Sequence, residues 1–225
     1  MAFIHKTTLV PSKVELVAPW LAAQPWYVGT GQAPVLDKSG GFRLDDPEGE
    51  VGIEFMVVTD TSGEGEGRAY FVPLTYRGAE LEGAEDALIG TTEHGVLGRR
   101  WVYDGVHDPV LRAELLALIQ DRAEPQAQSV SDTPDPTVLP TLNGPALPVG
   151  ALATEVVDGP DGTRVTVETP SYATHTLHLP RVLDPAAPVP TDPVPRAHLT
   201  GQWRPPTADA PVTGVLAVLH PAAGA

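Results

Sequence analysis

Proline limits the fold of this chain more than any other residue type. The 225 residues include 25 prolines, and these cluster in the second half of the sequence. Proline has no backbone N–H to donate, and its ring clashes with the preceding turn of a helix. We therefore exclude long helices from the second half.

Composition excludes several functional classes. The chain has no cysteine, which rules out disulfide scaffolds, zinc ribbons and thiol nucleophiles. Its formal net charge of −15 is repelled by nucleic acid and by anionic lipid. The sequence has no targeting pattern near its start and no run of about 18 apolar residues. We expect a cytoplasmic protein with no nucleic-acid partner and no membrane contact.

Two helices are predicted from their first residues. Ser12 and Glu15 form a capping-box pattern, and Pro19 is expected to kink or split the helix that follows. Asp108 and Pro109 place a capping side chain before a proline, which indicates a second helix start. That helix has one apolar face and is expected to end within 122–125.

The residues between the two helices are typical of strands. Apolar residues alternate over 51–58, and a returning strand over 68–76 completes an antiparallel hairpin with a polar tip. Two further strands are predicted over 88–94 and 96–103. The expected fold class is α+β, with a curved antiparallel sheet over 51–103 packed on the two helices.

The second half is predicted to be a β-rich region. Residues 125–150 are rich in Pro, Ser, Thr and Asp, which is typical of a linker or a long surface loop. Strands are predicted over 151–157, 163–168, 172–179, 198–203 and 212–219. The predicted regions are 1–105, a helix over 106–124, the linker or loop over 125–150, and the β-rich region over 151–220.

Two stretches resemble a known family. One is the block 71–104, and the other has the pattern Trp20-Leu21-x-x-Gln24-x-Trp26-Tyr27-x-Gly29. They resemble the N-terminal cap region of actinobacterial maltokinases and of related stand-alone cap-like proteins, with the match best over 12–119. The resemblance implies a cystatin-like arrangement for the first part of the chain.

A weaker resemblance extends into the second half. Leu177-His178-Leu179-Pro180-Arg181-Val182 is similar to the N-lobe strand that carries the nucleotide-facing lysine in maltokinases, so the β-rich region resembles a kinase N-lobe remnant. His178 then stands where the lysine belongs, and an imidazole cannot replace a permanent ammonium on phosphates. The kinase C-lobe motifs are absent from the sequence. The resemblance therefore implies no ATP binding, no phosphate transfer and no cofactor.

No catalytic or metal-ligating set emerges from the remaining polar residues. His175 and His178 are three apart on a strand, so they face opposite sides and do not share a metal. Glu93 and His94 are adjacent, and a carboxylate there orients an imidazole only if both point the same way. An acidic run of Asp45, Asp46, Glu48, Glu50 and Glu54 is interpreted as solvated charge rather than as a glycosidase pair.

The best candidates for binding lie on the last predicted strand of the central block. Arg99, Trp101 and Tyr103 share one face of that strand. These residue types dominate protein–protein hot spots, and they also stack on sugar rings or pack with a cation–π contact. All three interpretations remain open at this stage.

Three functional hypotheses follow. The first is a non-enzymatic accessory or regulatory protein that acts through a protein partner such as a sugar kinase or a glucan enzyme, and the resemblance implies α-glucan, maltose or trehalose metabolism as its setting. The alternative is an α-glucan or sugar-binding module. The third is an enzyme such as a glucan branching enzyme, but the (β/α)₈ barrel which that reaction requires has about 250 residues.

Overall fold

The described residues form one antiparallel sheet with two α-helices. The computed structural model describes residues 8–65 and 67–221, so the first seven residues of the predicted region 1–105 lie outside the described residues, as does Glu66 in the hairpin tip. The helices are α1 (Lys13–Leu21) and α2 (Pro109–Leu118). The strands are β1 (Leu9–Val10), β2 (Leu36–Leu44), β3 (Gly52–Asp60), β4 (Arg68–Arg77), β5 (Leu88–His94), β6 (Gly98–Asp104), β7 (Gln126–Ala127), β8 (Leu139–Leu142), β9 (Leu152–Gly159), β10 (Gly162–Glu168), β11 (Thr174–Leu179), β12 (Val182–Leu183), β13 (Ala197–Trp203) and β14 (Val212–His220).

Both predicted helix starts are confirmed. The Ser12 hydroxyl accepts from the backbone N–H of Glu15, and the Glu15 carboxylate accepts from the backbone N–H of Ser12 at 2.7 Å. Asp108 caps α2 by accepting from the N–H of Val110 at 2.9 Å. Pro19 lies inside α1, which ends two residues later. In the described part of the chain, neither helix has the length and apolar run that crossing a bilayer requires.

The sheet joins strands from both halves of the sequence. Its strand order is β1-β5-β6-β4-β3-β2-β13-β14-β11-β10-β9. The short strand β12 follows β11 and pairs with the start of β4, where Val182 is the partner of Tyr70. Because β4 lies between β6 and β3 in that order, β12 connects the chain that follows β11 directly to the strands of the first half.

The central hairpin β3–β4 is buried on both faces. Met56 and Val58 face a smaller core, in which they pack with Val17 and Leu21 of α1. Their neighbour Phe55 faces a larger core that also contains the apolar face of α2. The alternation of the strand therefore places one helix on each face of the hairpin, which confirms the predicted antiparallel sheet with its two helices.

The larger core contains residues from both halves of the chain. Phe55 stacks on Phe42 with ring centroids 4.5 Å apart and lies 5.9 Å from Phe71. The same core takes Leu177 and Trp203 from the second half. The segment 125–150 contains β7 and β8 and buries Val138 and Leu147. The proposed boundaries between the four regions stay a prediction.

Candidate interaction surface

One face of the sheet is open to solvent at its β1–β5–β6 end. Directly opposed residues of neighbouring strands share a face, so the strand register places Val10, Glu93 and Arg99 in one row. Thr91 and Trp101 form the next row on the same face. We call these five residues the open face. Val10 is 65% exposed, whereas the opposite face of the same strands packs on α1.

The structure separates the three residues predicted for binding. The Arg99 side chain is 62% exposed and donates to the Glu93 carboxylate at 3.0 Å. Trp101 is partly buried, and its indole N–H donates to Glu80 at 3.3 Å. Tyr103 is 2% exposed, and its hydroxyl accepts from the backbone N–H of Leu81 at 2.9 Å. Arg99 and Trp101 therefore reach the surface together, while Tyr103 lies under the segment 78–87.

The neighbouring pair Glu93 and His94 does not form a catalytic arrangement. Glu93 faces Arg99 across the strand pair, as described above. The Nδ1 atom of His94 accepts from the backbone N–H groups of Val96 and Leu97 at 3.2 and 3.0 Å. The imidazole thus shapes the turn between β5 and β6, and the two side chains point apart.

Comparison with known families identifies this part of the chain. Residues 20–108 match the family described as the maltokinase N-terminal cap domain. The segment 20–108 is therefore similar to the N-terminal cap domain of maltokinase, and we call it the cap-like domain. It extends from the end of α1 to the capping residue of α2 and includes β2 to β6, with four residues of the open face. No curated protein matches the chain.

The cap-like domain holds a buried carboxylate that the sequence analysis placed in solvent. Glu54 is 3% exposed and accepts from Lys13 at 2.5 Å. It also accepts from the Tyr76 hydroxyl and from the Gln128 amide, both at 2.7 Å. The solvated interpretation of the acidic run is therefore wrong for Glu54. Its position among apolar neighbours on β3 was the signal of its burial.

The interpretation of the acidic run as solvated charge is also wrong for Asp46, which is 5% exposed. Its carboxylate accepts from the backbone N–H groups of Glu48, Glu50 and Val51 at 2.9 to 3.0 Å. The carboxylate satisfies the donors of a tight turn before β3, since an unpaired buried N–H is costly. Asp46 is thus a structural residue of the cap-like domain.

The charges around Glu54 set its protonation. Burial raises the pKa of Glu54, but the Lys13 ammonium and the hydrogen bonds from Lys13 and Tyr76 outweigh this effect. The net result is a pKa below the ordinary value of 4.5. Glu54 is therefore an anion at neutral pH, and it connects α1, β4 and the segment after β7.

A second buried network joins the cap-like domain to the second half. Arg181 is fully buried, and its guanidinium donates to both oxygens of Asp104 at 2.6 and 2.8 Å. It also donates to Thr163 at 2.8 Å, and the Thr163 hydroxyl donates to Asp158 at 2.5 Å. Asp158 accepts in turn from His107 at 2.9 Å. The chain of contacts links the end of β6 to β9, β10 and the residues before β12.

Part of this network has the spacing of a metal site. Ligand atoms of Asp104, His107 and Asp158 all lie within 4.8 Å of one another. However, both oxygens of Asp104 already accept from Arg181. The guanidinium charge of Arg181 repels a cation at this position. The residues therefore favour the ion pair between Arg181 and Asp104 over a metal site.

His178 occupies an ordinary position on the sheet surface. Its Nε2 atom donates to the carbonyl of Asp161 at 3.0 Å, and its ring lies 6.5 Å from that of His220. Burial lowers the pKa of His178. His175 points to the opposite side and is buried, as the strand spacing predicts. The likeness of this half to a kinase N-lobe remnant stays a prediction.

Proposed function

We propose that this protein is a non-catalytic cap-like accessory protein that acts by binding another protein through the open face. By its family resemblance, the setting is α-glucan, maltose or trehalose metabolism. The match over 20–108 supports the first part of the proposal, since it falls on the cap of maltokinase and not on its catalytic region.

The observation that carries the contact is the placement of Trp101. Its indole N–H donates to the exposed Glu80 at 3.3 Å, and the exposed Arg99 precedes it by two residues on the same face of β6. Tryptophan and arginine are the residue types that contribute most to protein–protein affinity. A face that holds both, beside the apolar Val10, fits the centre of an interface.

We expect Trp101→Ala to weaken the affinity for the partner by about 2 kcal/mol or more, the usual threshold for a hot spot. This change is roughly a 30-fold rise in Kd. The reason is that the indole is the largest side chain on the open face. The measurement is co-purification from a native lysate, followed by titration of the purified partner with each variant.

Matched controls lie on β10 and in the turn between β10 and β11, at the other end of the strand order from β1, β5 and β6. Tyr172 is 95% exposed, so Tyr172→Ala removes a surface aromatic far from the open face. A second variant, Arg99→Glu, should also reduce partner recovery, and Arg164→Glu is its control because Arg164 is likewise an exposed, ion-paired arginine. Equal partner recovery with Trp101→Ala and Tyr172→Ala, at unchanged melting temperature, would exclude the proposed contact.

A sugar-binding module is the second candidate, because Trp101 lies beside the polar groups of Arg99 and Glu80 in the manner of a stacking platform. Titration with maltose and with a soluble α-glucan, followed by tryptophan fluorescence, distinguishes the two. If sugar binds at this face, Trp101→Phe removes the fluorescence change while Tyr172→Ala retains it. If the face binds a protein, no sugar-dependent change is expected in any variant.

A further inference from the structure

A second surface feature lies at the far end of α2. A groove of about 460 Å³ is formed where the turn after the helix meets the segment 134–140. Val138 lies at its base and is 4% exposed, whereas Leu139 is 56% exposed. The groove therefore exposes one large apolar side chain, that of Leu139, next to a valine that belongs to the larger core.

The walls of this groove are held in place without a ligand. Four lining residues are prolines, at positions 125, 134, 136 and 140. The backbone N–H of Asp135 donates to the carbonyl of Pro125 at 2.7 Å, and the Asp135 carboxylate accepts from Thr137 at 2.6 Å. A preformed groove loses little conformational entropy on binding. It can therefore bind a short segment despite its modest size.

The rim of the groove is negative. Asp121 and Glu124 are exposed on the rim, and they outnumber the Arg122 guanidinium. The C-terminal end of α2 adds the negative end of the helix dipole. The net charge of −15 on the whole chain acts in the same direction.

We propose that this groove binds a short segment of another protein in which a lysine or arginine adjoins apolar residues. The apolar side chain packs against Leu139, and the cation lies between Asp121 and Glu124. The contact is independent of the open face, which lies at the β1 end of the sheet.

The experiment is an amide NMR titration of the full chain with two capped peptides. The probe is N-acetyl-Pro-Leu-Arg-amide, and its matched control is N-acetyl-Pro-Leu-Glu-amide. We expect the arginine peptide to shift the amides of residues 121–124 and 137–139, and we expect the glutamate peptide to leave them unchanged. Added salt should reduce the shifts, because exposed charges are screened.

Variants of the rim test the charge requirement. The double change Asp121→Asn and Glu124→Gln should weaken binding of the arginine peptide about fivefold, the scale expected from two exposed ion pairs. Asparagine suits position 121 because the backbone there is left-handed, with φ of 57°. The control is Glu82→Gln with Asp86→Asn, two exposed carboxylates elsewhere. Equal shifts from both peptides, or none from the arginine peptide at the solubility limit, would overturn the proposal.

Discussion

Replacing Arg181 with methionine will lower the free energy of unfolding by about 3–5 kcal/mol, because it leaves the buried Asp104 carboxylate without its partner. In a chain of this size the change is a fall of roughly 6–20 °C in melting temperature. Chemical denaturation followed by circular dichroism measures it. Since Arg181 and Asp104 come from different halves of the chain, both halves are expected to unfold together and at the lower midpoint.

A double variant separates the ion pair from simple packing. Combining Arg181→Met with Asp104→Asn removes both charges, so much of the lost stability should return. The exposed pair of Arg164 with Asp161 gives the control, because Arg164→Met should change stability by no more than about 1 kcal/mol. A loss under about 1 kcal/mol for Arg181→Met would contradict the role assigned to this pair.

Glu54→Gln will lower the free energy of unfolding by about 2–3 kcal/mol at neutral pH, since charge-assisted hydrogen bonds contribute about that much. The glutamine keeps the shape and can still accept from Tyr76 or Gln128, but it loses the charge that pairs with Lys13. Glu50→Gln is the control, because Glu50 is an exposed carboxylate in the nearby turn. Denaturant titration of the three proteins measures the difference.

The cost of Glu54→Gln should depend on pH in a defined direction. The folded state holds the pKa of Glu54 below 4.5, so the unfolded chain binds a proton first as pH falls. The contribution of the carboxylate is therefore complete above that value and is lost as pH falls through the lower folded pKa. The difference in free energy of unfolding between wild type and Glu54→Gln should therefore shrink as pH falls below 4.5. A difference that stays constant from neutral pH down to pH values well below 4.5 would show that Glu54 is not stabilised as an anion.

Local patterns predicted most of the elements of this fold. The alternation over 51–58 corresponds to β3, and the Asp108–Pro109 pair begins α2 where expected. The sequence predicts only a short strand over 42–44, and the start of β2 was missed, since Lys38, Ser39 and Gly40 are polar or flexible and carry little strand signal. β2 forms there because both of its neighbours, β3 and β13, supply backbone partners from elsewhere in the sequence.

The contacts that hold the structure together could not be predicted in the same way. Arg181 and Asp104 are 77 residues apart, and Gln128 is 74 residues from Glu54. No local period relates such positions, since their pairing depends on the order of strands in the sheet. The alternation of β6 placed Tyr103 on the same face as Arg99 and Trp101, but it carried no information about the segment 78–87 that covers the tyrosine.

The Arg181 network has a consequence for the open face. Asp104 is the last residue of β6, the strand that carries Arg99 and Trp101. Its carboxylate is fixed by a residue that lies outside the cap-like domain. The second half of the chain thus anchors the strand on which the proposed contact depends.

Site-specific photo-crosslinking tests the central claim most directly. A benzophenone amino acid at position 91 lies on the open face beside Trp101, and the same group at position 154 lies on β9, where Thr154 is also exposed. After irradiation in a native lysate, we predict one dominant partner protein crosslinked to position 91. We predict that this product is absent when the crosslinker is at position 154. It should also be absent when the chain with the crosslinker at position 91 carries the second substitution Trp101→Ala. The absence of a crosslink from position 91, or the same products from both positions, would contradict the proposed function of this face.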